Sequence, residues 1–326
     1  MRNPCLFVVG CARSGTTLVQ RMLDAHPQLA VSNDPHFIQE SLRKSGGCDV
    51  ALTPELVKRV LACRRLRRLG LPDELIRGAA EGAATYAEFV SAIYDAFARS
   101  RGKALAGEKT PRYVRYLPLL HALFPWVKIL HVIRDGRDVA LSMLDWANPE
   151  RGPGRYRLWR EQPLAVCALT WRWHVTTGQR DGSVLGPAVY REISYEQLTA
   201  EPESTMRRLL AFLELPFAPE TVTYHAGRTR DGPRLASKDR WLPPTPGLRD
   251  WRAQMAPPDV ELFEAIAGDA LATLGYEIVH DPVSPGLARI ARRLRESWEH
   301  EVRAQWPRKA THLRFGLRPR EYAGLP

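Results

Sequence analysis

Leu6-Phe7-Val8-Val9-Gly10-Cys11-Ala12-Arg13-Ser14-Gly15-Thr16-Thr17-Leu18 is an apolar run that turns through a Gly-bounded loop into a helical pattern. A turn of this kind binds a phosphate. The loop and first helical turn leave several backbone N–H groups without intrahelical partners, and the helix dipole adds positive charge where they converge. The spacing comes close to the P-loop pattern, with Gly10, four residues and Gly15, but Thr16 stands where that pattern has Lys. A cation stands inside the loop instead, at Arg13. Without the loop Lys a nucleoside triphosphate loses its main contact to the terminal phosphates, so the loop suits another 5′-phosphoryl group. The alternative is an ordinary strand-turn-helix.

The 326 residues can bury a large core, and we read them as a single domain over 1–326, with a helical insert or cap at about 40–102 and a basic tail at about 285–326. Hydrophobic residues at 44% and charged residues at 25% are ordinary for a soluble globular protein. No apolar run approaches the roughly 20 residues that span a bilayer. The run from Cys5 to Val9 is too short for a signal-peptide core and leads straight into the loop, so a cytoplasmic protein is expected. The five Cys (Cys5, Cys11, Cys48, Cys63, Cys167) are odd in number and scattered, which argues against a disulfide framework and a structural zinc site. No metal is expected. A net charge of +11 suits an anionic ligand without identifying it, and no nucleic-acid partner is expected.

After the loop, Thr16 to Ala25 reads as a helix and Leu29-Ala30-Val31 as a second strand, whose end carries Asn33-Asp34-Pro35-His36. Ala83 to Arg99 is the clearest amphipathic helix of an Arg-rich helical stretch. Ala104-Leu105-Ala106 then leads to Gly107-Glu108-Lys109-Thr110-Pro111, followed by a helix from Val114 to Phe124 and a buried strand from Val127 to Ile133. A strand at Ala188 to Ile193 and a helix at Glu203 to Leu213 follow, and Asn148 to Pro163 and Gly227 to Leu248 read as Gly/Pro/Arg-rich loops. The tail from Pro285 holds ten Arg or Lys against four Glu and suits a solvated helix or the contact of a homodimer. Alternating strands and helices predict an α/β, P-loop-like three-layer fold: a central parallel sheet flanked by helices, with ligands at the carboxyl ends of the strands.

Two further cations stand at such ends. Arg134 closes the strand Lys128 to Ile133, and Ser142 lies eight residues on, where it can face the same space. Together they could hold a second phosphate; the alternatives are a solvated RDGRD run and a metal-binding role for Asp135, against which its neighbour Arg134 counts. Lys109 is one of seven Lys among 47 basic residues. Its compact ammonium suits a shifting charge on a leaving phosphate, whereas Arg suits fixed clamping; a surface Lys is the alternative.

In order, GCARSGTTL with MLDAHP, GEKTPRY, HVIRDGRDVALSM and Tyr190-Arg191-Glu192-Ile193-Ser194-Tyr195-Glu196-Gln197-Leu198 resemble the motifs of sulfotransferases that use 3′-phosphoadenosine 5′-phosphosulfate (PAPS). The likeness is greatest to bacterial sulfotransferases and tyrosylprotein sulfotransferases, and it covers roughly residues 5 to 215. It implies that Arg13, Ser14, Gly15, Thr16 and Thr17 surround the 5′-phosphosulfate, that Arg134 and Ser142 hold the 3′-phosphate, that Tyr195 lies near the adenine, and that Lys109 lies near the leaving phosphate. Lys238 is the cofactor candidate in the segment where the match fades. The tyrosylprotein enzymes carry Glu where this chain has Asp34, and they are membrane-anchored.

The function expected is sulfuryl transfer from PAPS, without metal, to a hydroxyl of a small-molecule, lipid or carbohydrate acceptor, with adenosine 3′,5′-bisphosphate (PAP) as product. Asp34 is the first candidate for general base and His36 the second, with Arg13 and Lys109 as electrostatic stabilisers. A P-loop kinase using Mg-ATP and a catalytically inactive nucleotide-binding protein are the rivals.

Overall fold

The computed structural model describes residues 2–42, 50–145, 152–232 and 237–305. Cys48, part of the Arg-rich segment, parts of the two Gly/Pro/Arg-rich loops and the tail beyond 305 lie outside the described residues. Five parallel strands, β1 (Leu6–Gly10), β2 (Leu29–Asn33), β3 (Leu105–Lys109), β4 (Lys128–Ile133) and β5 (Tyr190–Ser194), form one sheet in the order β2-β3-β1-β4-β5. With β1 in the middle, Val8 pairs with Lys109 on one side and Gly10 with Val132 on the other. The loop after β1 therefore emerges between Lys109 and the residues that follow β4.

Successive side chains of a strand point to opposite faces, and this alternation builds the layers. Phe7 and Val9 join Phe89, Ile93 and Phe124 in one core, whereas Leu6 and Val8 join Val19, Leu23 and Leu210 in another. Among the helices packed around the sheet are α1 (Thr16–Asp24), α2 (Tyr86–Ser100), α3 (Gly136–Leu144), α4 (Pro163–Leu185), α5 (Pro257–Thr273) and α6 (Pro285–Gln305). The last four surround a third core around Trp171, Phe263 and Trp298.

Several boundaries differ from those read in the sequence. The third strand starts at Leu105 rather than Ala104 and ends at Lys109, the strand-end position read from the sequence. The stretch from Val114 splits into a 3-10 turn, Pro111–Arg115, and a helix, Leu117–Leu123, whose second residue is Pro118; the ring removes the amide that a continuous helix would need. α2 starts at a capping box, in which Thr85 accepts from the Glu88 amide and Glu88 reaches back. It crosses from β2 to β3 with Phe89, Ile93 and Phe97 buried on the sheet's face. The sequence shows the tail as basic, yet α6 docks through Trp298, which is 1% exposed and packs against Tyr156 and Trp173. Among the described residues no helix is long and apolar enough to cross a membrane.

Candidate active site

The loop between β1 and α1 needs glycine at both ends for different reasons. At Gly10 (φ +152°) a Cβ would lie 2.5 Å from the Val132 carbonyl oxygen. At Gly15 (φ +91°) it would lie 2.2 Å from Cδ2 of Tyr195. Tyr195 thus lies flush against the loop. Gly15 caps α1 without any side-chain hydrogen bond, so the first amides of the helix are open to a ligand. Ser14 Oγ, nearby, is buried with no partner.

Three guanidiniums converge here. Arg13, itself at φ +76°, donates from Nε to Ser142 Oγ at 2.9 Å. Arg134 pairs with Asp138 at 3.1 Å and lies 4.3 Å from the centre of the Tyr195 ring, while its Nε is buried without a partner. Arg249 pairs with Asp145. Burial lowers the Arg13 pKa, and the charges of Arg249 and Arg134 lower it further. Asp138, Ser142 and Asp145 follow one another at i, i+4 and i+7 along α3 and its C-cap, so one helix face engages all three Arg. Ser142 and Arg134 do share this site, but Ser142 meets Arg13 rather than Arg134.

The rest of the RDGRD run is neither solvated nor free for a metal. Arg137 is fully buried, bonded to Asp135 at 2.8 Å and to Glu264 at 2.7 Å, and the Trp251 ring covers it at 3.6 Å. The Asp135 carboxylate is spent on Arg137 and on capping α3 through the Arg137 amide.

On the other side of the loop, Lys109 is 5% exposed and its Nζ lies 3.4 Å from Thr17 Oγ1. Burial lowers its pKa to about 8, partly opposed by the charge of Asp34; Lys238, in the turn Ser237–Arg240, is close enough for its charge to act in the same direction as burial. Asp34 follows β2 at φ +58° and donates its amide to the Lys109 carbonyl at 2.7 Å. Its carboxylate, 26% exposed, is held by Arg68 at 2.7 Å and Arg65 at 3.4 Å. His36 is enclosed instead. It is 4% exposed, with Nδ1 at 3.0 Å from Arg65, Nε2 at 3.1 Å from the Gln39 side-chain amide, and the Tyr113 ring against it. Beneath it lies Glu108, whose carboxylate accepts from Tyr94, from Thr110 at 2.5 Å and from the His36 amide at 3.3 Å. Burial lifts the Glu108 pKa to about 7 despite those bonds.

Arg65, Arg68, Arg249 and Glu108 belong to the site although no sequence signal marks them. The run Arg64-Arg65-Leu66-Arg67-Arg68 is conspicuous, but nothing in it tells that two of its members reach back 31 and 34 residues to Asp34.

Fold and site together define an α/β protein of P-loop-like architecture, with a glycine-bounded loop between β1 and α1 whose helix start has no side-chain cap. The family model for the sulfotransferase family matches residues 4–219, and the chain belongs to that family. It is 27% identical to a protein-tyrosine sulfotransferase of Drosophila melanogaster over 300 residues, 87% of this chain and 54% of the fly protein. It is 28% identical to protein-tyrosine sulfotransferase 1 of Homo sapiens over 293 residues, 87% of this chain and 72% of that one. Among solved structures, the sulfotransferase domain from the curacin biosynthetic pathway shares the fold, with a TM-score of 0.53 at 19% identity, over 85% of this chain and all (100%) of that domain.

Proposed function

We propose that this protein transfers a sulfuryl group from PAPS to a hydroxyl of a small-molecule, lipid or carbohydrate acceptor. The observation that carries the reading is the uncapped start of α1, where Ser14 Oγ and Arg134 Nε are buried without partners among clustered guanidiniums. Orphaned buried donors of this sort are costly unless a ligand satisfies them, and a nucleotide that carries phosphate at both its 3′ and 5′ positions would offer acceptors to both. In the proposed reaction the acceptor oxygen attacks sulfur in line while the bond from sulfur to the bridging oxygen breaks. The acceptor proton passes to the Asp34 carboxylate, and PAP leaves with its new charge on the 5′-phosphate. Lys109, Arg13 and the amides of Gly15, Thr16 and Thr17 stabilise that charge. Arg134 and Ser142 hold the 3′-phosphate, Tyr195 the adenine side, and Lys238 approaches from the exposed turn. Arg68 and Arg65 hold the Asp34 carboxylate in place. His36, enclosed by its neighbours, is the weaker candidate for the base. A Mg-ATP kinase finds less support, because the Asp135 carboxylate is occupied by Arg137.

Calorimetry with PAP tests the reading. Arg134→Ala should weaken PAP by about 1.5–3 kcal/mol, the scale of hydrogen bonds to charged groups, and weaken adenosine 5′-monophosphate much less. EDTA should leave turnover intact. Tight Mg-ATP binding with no affinity for PAP would replace this reading with the kinase one. PAP binding with no turnover on any hydroxyl acceptor would leave an inactive nucleotide-binding protein.

A further inference from the structure

Directly beyond Lys109 and Thr110, the 3-10 turn Pro111–Arg115 brings Arg112 and Arg115 against α4, which the short 3-10 turn at Gly152–Arg155 also contacts, and the Arg155 charge acts on Arg112. Arg115 is 5% exposed, lies 3.8 Å from the centre of the Trp173 ring, and has both Nε and Nη1 buried without a partner. On α4, Thr170, His174 and Thr177 recur at i, i+4 and i+7, so they share one face. Thr170 Oγ1, His174 Nδ1 and Thr177 Oγ1 are likewise buried and unpartnered. Arg155 has a buried, unpartnered Nε, and its Nη2 donates to the Tyr156 hydroxyl at 2.8 Å.

The electrostatics run in one direction. Arg112 is pushed down to about 10 by burial and by the charges of Arg155 and Arg115. Burial and the same three Arg push His174 well below its usual value, so it is neutral and can donate from Nδ1. Among the described residues none of Arg112, Arg115, Arg155 or His174 forms an ion pair with a carboxylate; tyrosine hydroxyls and ring faces are what they meet. Elsewhere this chain pairs its buried guanidinium with two carboxylates, as at Arg137. Three cations gathered without one, around orphaned donors, form a cradle for an anion that arrives from outside.

We propose that Arg112, Arg115, Arg155 and His174 form a subsite for an anionic group, phosphate or carboxylate, carried by the acceptor. This rests on the sulfuryl-transfer reading only in calling the ligand an acceptor: the cluster begins three residues past Lys109, beyond the end of β3, and includes no residue of the loop between β1 and α1. An acceptor anchored there by its charge would present a hydroxyl toward Asp34 and Lys109.

The test uses the full chain saturated with PAP, so that the donor loop is filled. Inorganic phosphate and acetate are titrated separately, with tryptophan fluorescence (Trp173 stacks on Arg115) and Tm as readouts. Saturable binding of either anion is expected, with phosphate or acetate preferred according to which group the acceptor carries. Arg112→Gln and Arg115→Gln should weaken that binding about tenfold or more while PAP affinity stays unchanged. If Arg115→Gln fails to fold, the half-buried Arg112→Gln decides alone. Non-saturable responses to both anions, or saturable binding indifferent to Arg112→Gln, would overturn the proposal. Failure of the wild-type chain to bind PAP would count against the donor assignment instead; the same titrations without PAP, read through Arg112 dependence, would still judge the subsite.

Discussion

Raising the pH through the titration of Lys109 should weaken PAP binding. In the free protein the ammonium is buried between β3 and the start of α1, and its pKa falls from 10.5 to about 8. A 5′-phosphate brought against Nζ supplies the missing countercharge and raises that pKa again. Between the free and bound values, binding takes up a proton, so affinity should fall by up to tenfold per pH unit above about pH 8. Full recovery of the ordinary value would correspond to about 3 kcal/mol across the window from about 8 to 10.5. Below it the affinity should be flat, since the lysine is already charged. The ligand does not confuse the result, because a phosphate monoester is fully ionised above about pH 7. Calorimetry in buffers of different ionisation enthalpy would report both affinity and proton uptake. Lys109→Met should bind PAP more weakly at neutral pH and show no slope. A flat wild-type profile between about pH 8 and 10, or the same slope in Lys109→Met, would refute the reasoning. For stability without ligand the sign reverses: between about 8 and 10.5 the unfolded chain binds the extra proton, so folding gains as the pH rises.

Asp34→Asn, which keeps size and removes the base, should lower turnover about 10²–10⁴-fold with donor affinity nearly unchanged, whereas His36→Asn should cost far less; the opposite ranking in steady-state kinetics would reverse the roles. Glu108, lifted from 4.5 to about 7, keeps its proton in the folded state where the unfolded chain has lost it, so urea-measured stability should decline by about 3 kcal/mol as pH rises through that window. Glu108→Gln should flatten the decline, and an unaltered slope would assign it to another group. Trp298→Ala should destabilise by about 3–5 kcal/mol in denaturant melts, because the buried ring joins α6 to Tyr156 and Trp173; a loss below about 1 kcal/mol would mean that the helix is as peripheral as its composition suggests.

The strand-loop-helix at Leu6 to Leu18 was legible because its signal is local. Alternation, glycine spacing and a helix start all lie within one short stretch, and the parallel sheet followed from repeating that pattern. Arg134 and Lys109 were legible for the same reason, as cations at the ends of apolar strands. What stayed hidden depends on distant partners. The RDGRD run looks the same in sequence whether solvated or buried, and only Glu264, 127 residues away, makes Arg137 a core residue. His36 and Asp34 stand two positions apart in the same turn, yet one is enclosed by Gln39, Tyr113 and Arg65 and the other keeps an exposed edge. Boundaries moved where a single proline or cap decides them, as at Pro118 and Thr85.

The division of carboxylates between two groups of arginines connects the fold to the chemistry. Arg137 receives Asp135 and Glu264 in a dry core, a fixed arrangement in which losing either partner strands a buried charge. The arginines at the loop receive one partner each from a single face of α3: Asp138 for Arg134 in a nearly buried pair, Ser142 for Arg13, and for Arg249 the Asp145 carboxylate, which is 60% exposed. The solvated Arg249–Asp145 pair contributes little, so it holds that guanidinium in place without competing strongly with an arriving phosphate. A helix that orients three cations from one face, beside a helix start that has no side-chain cap, is preorganised for polyanion binding. The rigid Arg137 cluster at the root of α3 keeps that face in register with the loop.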